Sequence, residues 1–115
     1  MKKFILNADD FARSEFHNNA ILEGFKKGLL KSTSIMANMP FFKDAVYRVA
    51  RPNPELGVGI HLNLIEGKAL NQGLKTLCDN NGNFRNDFLT LLLKSKSKKF
   101  LKEAEIEFRS QIELA

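Results

Sequence analysis

Three side chains in this 115-residue sequence could carry hydrolytic chemistry: the neighbouring carboxylates Asp9 and Asp10, and the imidazole of His61. Adjacent carboxylates repel, and each raises the other's pKa unless a cation lies close by. An aspartate pair together with a histidine therefore points to metal binding or acid–base catalysis. The structural alternative for the pair is turn or helix-cap chemistry, where aspartate is common. Ser14 is better placed to cap the helix that follows, so the aspartates are left without that task. The other histidine, His17, falls in the first turn of that helix, where a lone histidine usually serves packing or surface.

The elements that must hold these groups can be read from periodicity. In Gly57–Leu64, Val58, Ile60, Leu62 and Leu64 share one face of an extended strand, and Gly57, Gly59, His61 and Asn63 share the other. The second face begins bare and ends in an imidazole and an amide. In α/β proteins chemistry collects at the C-terminal ends of parallel strands, which is where His61 falls. A first strand is expected over residues 2–8, apolar at Phe4, Ile5 and Leu6 and followed by the aspartates. A second is expected over Lys31–Asn38, with Thr33, Ile35 and Ala37 on one face and Ser32, Ser34, Met36 and Asn38 on the other. Between them, Phe16, Ala20, Ile21 and Phe25 recur at helical spacing over residues 15–27, with Gly28 just past the end. Pro40 opens a second helix carrying Phe42, Ala45, Val46 and Val49, and Arg51-Pro52-Asn53-Pro54 stops it. The order β-α-β-α-β with short connections predicts a parallel sheet with Asp9, Asp10, Asn38, His61 and Asn63 on one rim.

After Leu64 the pattern changes. Leu74–Arg85 reads as a small hairpin around Asp79-Asn80-Asn81-Gly82. Residues 87–94 read as a short apolar helix, and residues 100–115 as a helix with Leu101, Ala104, Phe108, Ile112 and Ala115 on one stripe. The sequence ends inside this pattern, and three parallel strands leave open edges. The expectation is a single domain over 1–115 that forms the front half of a larger one.

The composition, 43% hydrophobic and 27% charged, is that of an ordinary globular protein. No apolar run approaches a membrane span, so no membrane partner is expected. One cysteine, Cys78, suits a reducing, cytoplasmic setting. The net charge of +5 is concentrated at Lys94, Lys96, Lys98, Lys99 and Lys102. Without interleaved aromatic residues that cluster reads as a solvated face, and no nucleic-acid partner is expected.

Asn7-Ala8-Asp9-Asp10-Phe11, then Ser32-Thr33-Ser34 through Asn38-Met39-Pro40, then Gly57–Leu64 with Glu66-Gly67, resemble the YdjC-like carbohydrate deacetylases along the whole chain. The resemblance implies an α/β fold, the N-terminal half of a distorted TIM-like (β/α) barrel with parallel strands and a small hairpin insertion. It implies a divalent metal, Mg²⁺ or Zn²⁺, held by Asp10, His61 and a second histidine that would follow residue 115, with Asp9 as the general base. Ser34, Asn38 and Asn63 would touch substrate or brace the rim. The family usually has glycine at the position of Ala12, and often proline and glycine near Glu15 and Phe16, which puts the shape of that loop in question.

The expected function is metal-dependent removal of N-acetyl groups from amino sugars or short chitooligosaccharides. The substrate-like partner is then an N-acetylated sugar, and a homodimer is a candidate assembly. With one histidine missing from the set, this chain alone is expected to bind metal weakly and turn over little. The alternatives are a metal-dependent phosphoesterase on the same rim and a basic, non-enzymatic nucleic-acid-binding module, which would leave the aspartate pair unexplained.

Overall fold

The computed structural model describes residues 2–115. The chain divides into two compact units, residues 1–61 and 62–115.

The first unit has three strands, β1 (Asn7–Phe11), β2 (Ser32–Ile35) and β3 (Gly57–Ile60), paired in parallel in the order β1-β2-β3. Helix α1 (Glu15–Lys26) joins β1 to β2. Helix α2 (Phe42–Asp44) runs directly into a π-helical stretch, Ala45–Ala50, on the way to β3. This is the expected βαβαβ order, the arrangement of a partial (β/α) barrel. The boundaries of α1 follow local chemistry. The Ser14 hydroxyl accepts the His17 N–H at its start, and Gly28 takes φ 73° just past its end. Phe11, Ile21, Leu30, Ile35, Ala45, Val49 and Leu56 form the core between sheet and helices.

The strands are shorter than the sequence pattern suggests. β1 starts at Asn7, and Phe4, Ile5 and Leu6 are exposed rather than buried in it. The reason lies in the partner strand: β2 begins at Ser32, opposite Asn7, and ahead of that pair only the Lys31 N–H reaches back, 3.5 Å from the Leu6 carbonyl. The aspartates consequently lie inside β1, not after it. β2 ends at Ile35, where the chain enters a turn closed by Met39 N–H to the Met36 carbonyl, 3.2 Å. β3 ends at Ile60, it is an edge of the described sheet, and Val58 on it is 42% exposed.

The second unit contains α3 (Phe88–Lys94) and α4 (Lys98–Leu114), capped by Asp87 and Ser97. The expected hairpin takes a minimal form. Cys78 and Phe84 make one antiparallel bridge around the Asp79–Gly82 turn, and Lys68 and Asn83 make another. Asp79 Oδ1 accepts the N–H groups of Asn81 and Asn83, and Gly82 takes φ 80°, as tight turns of this kind require. Leu64, Leu74, Leu77, Cys78, Phe84, Phe100 and Ala104 form a separate core. Among the described residues no helix is long and apolar enough to cross a membrane.

Candidate active site

The site is built on an irregularity in β1. Ala8 pairs with Thr33 and Phe11 with Ile35, so β1 spends three steps where β2 spends two. The extra residue is a β-bulge, a device that re-aims side chains at the end of a strand. It is made by Asp10, which sits in the left-handed region at φ 62°, and Ala12 follows at φ 80°. Aspartate tolerates this conformation better than most residues, whereas alanine pays a steric penalty of about 1–2 kcal/mol there.

The bulge gives the two carboxylates different surroundings. Asp9 Oδ1 accepts the Ser34 hydroxyl at 2.7 Å and the Asn7 side-chain amide at 2.9 Å. Asp10 turns toward the end of β3. Its Oδ1 lies 3.6 Å from His61 Nδ1, and its backbone N–H points at the same nitrogen, 3.5 Å away. Its Oδ2 pairs with Arg13 Nη1 at 3.1 Å. The His61 backbone is pinned by its own N–H to the Ile35 carbonyl, 2.8 Å. Asp10 and His61 side chains are each about one-third exposed (34% and 33%), so the pair is open to solvent ions.

The structure thus brings Asp9 to Ser34 and Asp10 to His61. Asn38 lies in the turn beyond β2, half-buried. Asn63 belongs to the second unit, because β3 stops before it. There it is buried, with Oδ1 accepting the N–H groups of Ile65 and Glu66 and Nδ2 donating to the Glu66 carbonyl. His17 pairs with Ser14, its Nδ1 2.7 Å from the hydroxyl oxygen.

Three contributors escape a pattern reading. Asn7 and Arg13 hold the carboxylates directly. Asn18, fully buried in α1, accepts the Ala12 N–H at 2.9 Å and donates to the Phe41 carbonyl at 3.2 Å and to Asp44 at 2.8 Å. The Arg48 guanidinium, and next the Asn18 amide, hold the Asp44 carboxyl below the usual aspartate range. The one signal for Asn18 in the sequence is a short amide in a helix interior, where such residues are disfavoured unless they bond elsewhere.

An imidazole nitrogen and a carboxylate oxygen facing one another are a mixed N/O donor set that suits Zn²⁺, and Mg²⁺ through its oxygen. Among the described residues no cluster of three or more His, Cys, Asp or Glu side chains could hold a metal. Asp10 and His61 together offer two donor atoms, one nitrogen and one oxygen.

Carboxylates and an imidazole toward the C-terminal ends of parallel strands lie where α/β proteins place their ligand sites. Comparison with known proteins narrows the reading. The model of the YdjC-like protein family matches residues 3–115, and the chain belongs to that family. It is 44% identical to carbohydrate deacetylase 1 of Listeria innocua over 111 residues, covering 96% of this chain and 44% of that protein. It is likewise 44% identical to the carbohydrate deacetylase of Clostridium beijerinckii, covering 96% of this chain and 43% of that protein. Among solved structures it resembles one from Enterococcus faecalis, described provisionally as a cellobiose-phosphate cleavage protein. The TM-score is 0.78 and the identity 28%, over 96% of this chain and 42% of the other. The chain spans less than half the length of the curated relatives it matches.

Proposed function

We propose that this chain carries the metal-binding and general-base side of a metal-dependent carbohydrate deacetylase, which removes N-acetyl groups from amino sugars or short chitooligosaccharides. The observation that carries this reading is the meeting of Asp10 and His61, from the ends of β1 and β3, with Nδ1 and Oδ1 3.6 Å apart beside the Asp9 carboxylate. The names of the Listeria and Clostridium relatives support the substrate class.

Asp10 and His61 would hold a divalent cation, Mg²⁺ or Zn²⁺. Once bound, such a cation supplies Lewis acidity, polarising an amide carbonyl and making water more acidic. Asp9 is the base. Ser34 and Asn7 both bond its Oδ1, which fixes the carboxylate and leaves Oδ2 to take a proton from water. Arg13 neutralises part of the Asp10 charge and keeps the two carboxylates compatible at short range. The free, buried Cys78, whose thiol is pushed up first by burial and then by Glu107, suits a reducing compartment such as the cytoplasm.

The test is titration calorimetry of Mg²⁺, Mn²⁺ and Zn²⁺ into the chain and its Asp10→Asn variant. Weak binding that falls about tenfold or more in the variant is expected; unchanged affinity overturns the ligand assignment. Acetate release from short N-acetylated chitooligosaccharides by a full-length protein carrying this sequence, lost in its Asp9→Asn variant, tests the reaction. A second reading, hydrolysis of a sugar phosphate on the same rim, is favoured by the description of the Enterococcus structure. Phosphate release without acetate release would select it.

A further inference from the structure

We propose that Asn18 is a positioning residue for the Asp9–Asp10 pair: its buried amide closes a ring of hydrogen bonds that holds Ala12 left-handed just past the bulge and so aims Asp10 at His61.

The ring has three members. The Ala12 N–H donates to Asn18 Oδ1, Asn18 Nδ2 donates to the Phe41 carbonyl, and the Phe41 N–H donates back to the Ala12 carbonyl, at 2.9, 3.2 and 3.2 Å. Both polar groups of Ala12 are thus tied at once, one to the Asn18 side chain and one to the Phe41 backbone that Asn18 also bonds. The clamp is anchored on its far side, because Asn18 Nδ2 also donates to Asp44, which is paired with Arg48. Asparagine alone among side chains of this size offers an acceptor and two donors at once, and all three are used. Ala12 needs such a clamp because its φ of 80° is one that an L side chain rarely keeps unaided. Asp10, two residues upstream, depends on the same turn. Its carbonyl accepts the Arg13 N–H at 3.1 Å, and its N–H points at His61 Nδ1.

This rests on the assignment of Asp10 and His61 as ligands, and the experiment separates the two. Mn²⁺ binding and thermal unfolding are measured on the full chain, on Asn18→Asp, on Asn18→Ala, and on Asn18→Ala combined with Ala12→Gly. Asn18→Asp keeps the size of the side chain but sets a carboxylate against Asp44 and the Phe41 carbonyl. Affinity for Mn²⁺ is expected to fall about tenfold in both single variants. Ala12→Gly should restore most of it in the Asn18→Ala background, because glycine holds a positive φ without the clamp. A purely structural role would lower the unfolding midpoint and leave the affinity of the folded protein within twofold of the parent, which would overturn the proposal. Should one of the two single variants fail to fold, the other carries the comparison.

If the parent chain takes up no Mn²⁺, the ligand assignment fails and amide exchange decides the clamp. The Asp10 N–H, which does not touch Asn18, is expected to exchange about tenfold faster in Asn18→Ala, while the His61 N–H on the Ile35 carbonyl keeps its rate. Equal Asp10 rates in parent and variant overturn the clamp on their own.

Discussion

Glu107 on α4 is fully buried, and its two oxygens take hydrogen bonds from the backbone N–H groups of Leu70 and Asn71 and from the side-chain amides of Asn71 and Gln111. Nearby on the same helix, Glu103 is buried with its Oε2 on the N–H and hydroxyl of Thr76. Asp9 and Asp10 in the first unit are handled in the opposite way. They remain open to solvent, sit on a bulged strand, and hold partners on some oxygens only. Carboxylates saturated by N–H donors fasten loops to a helix. Carboxylates left partly unsatisfied on strained backbone are available to a ligand. One chain therefore holds the same functional group in two ways, and the number of committed lone pairs separates them.

The sharpest way to break that comparison is an isosteric amide at each place. Glu107→Gln puts an NH₂ group where only donors converge, leaving buried N–H groups facing another donor. It is expected to cost about 2–4 kcal/mol, since each buried unsatisfied polar group costs about 1–3 kcal/mol. Asp10→Asn keeps the shape and the tolerance for left-handed φ, and loses only partly exposed charge contacts to Arg13 and His61. It should change stability by less than about 1 kcal/mol. Urea unfolding of both variants decides the matter. Equal losses would mean that the aspartates, too, are structural.

Acid tests the same contrast more gently. Burial pushes the Glu103 carboxyl up, but the Thr76 hydroxyl and N–H, with the Lys99 charge, outweigh it and leave the group below its ordinary value of 4.5. A depressed carboxyl binds fewer protons in the folded state than in the unfolded one. Its contribution to stability is therefore complete above pH 4.5 and is lost as pH falls through the folded pKa. Asp79, lowered first by the Asn83 N–H, and Asp87, lowered first by the Thr90 N–H, act in the same direction. Urea midpoints measured from pH 6 down to pH 3 should decline below that value in the parent and decline less in Glu103→Gln. Parallel curves would remove Glu103 from the set of staples.

Much of the first unit could be read from local signals because its boundaries are local. Ser14 and Gly28 fix the ends of α1 by hydrogen bonding and backbone sterics within a few residues. The parallel order follows from alternation of strands and helices. The bulge could not be read in the same way. It depends on how β1 registers against β2, twenty-five residues away, and nothing in Asn7–Phe11 says that Asp9 and Asp10 will share one step of the partner strand. The aspartates were legible as an adjacent pair and not as geometry. Asn63 shows the converse: alternation put it on the His61 face, yet β3 ends at Ile60 and the amide is spent on its own turn. Alternation also marks two faces of a strand without saying which is covered, which is why Val58 and Leu62 remain substantially exposed. Asn18 was invisible for a related reason, since a helical pattern records polarity but not the distant carbonyl or carboxylate that satisfies it.

The smallest effect bears on the strained side of the comparison. Ala12 is fully buried at φ 80°, a conformation that suits glycine better than alanine. Removing the Cβ relieves about 1–2 kcal/mol of left-handed strain, while the added freedom of glycine in the unfolded chain takes back about 0.5–1 kcal/mol. Ala12→Gly is therefore expected to stabilise the chain by about 0.5–1 kcal/mol in urea unfolding. The gain should appear without any change in the hydrogen bonds of Asp9 to Ser34 and Asn7, because those lie on the other side of the bulge. A loss of stability would mean that the alanine methyl packs in the Phe11–Val49 core by more than its strain costs. The loop would then owe its shape to packing as much as to the Asn18 clamp.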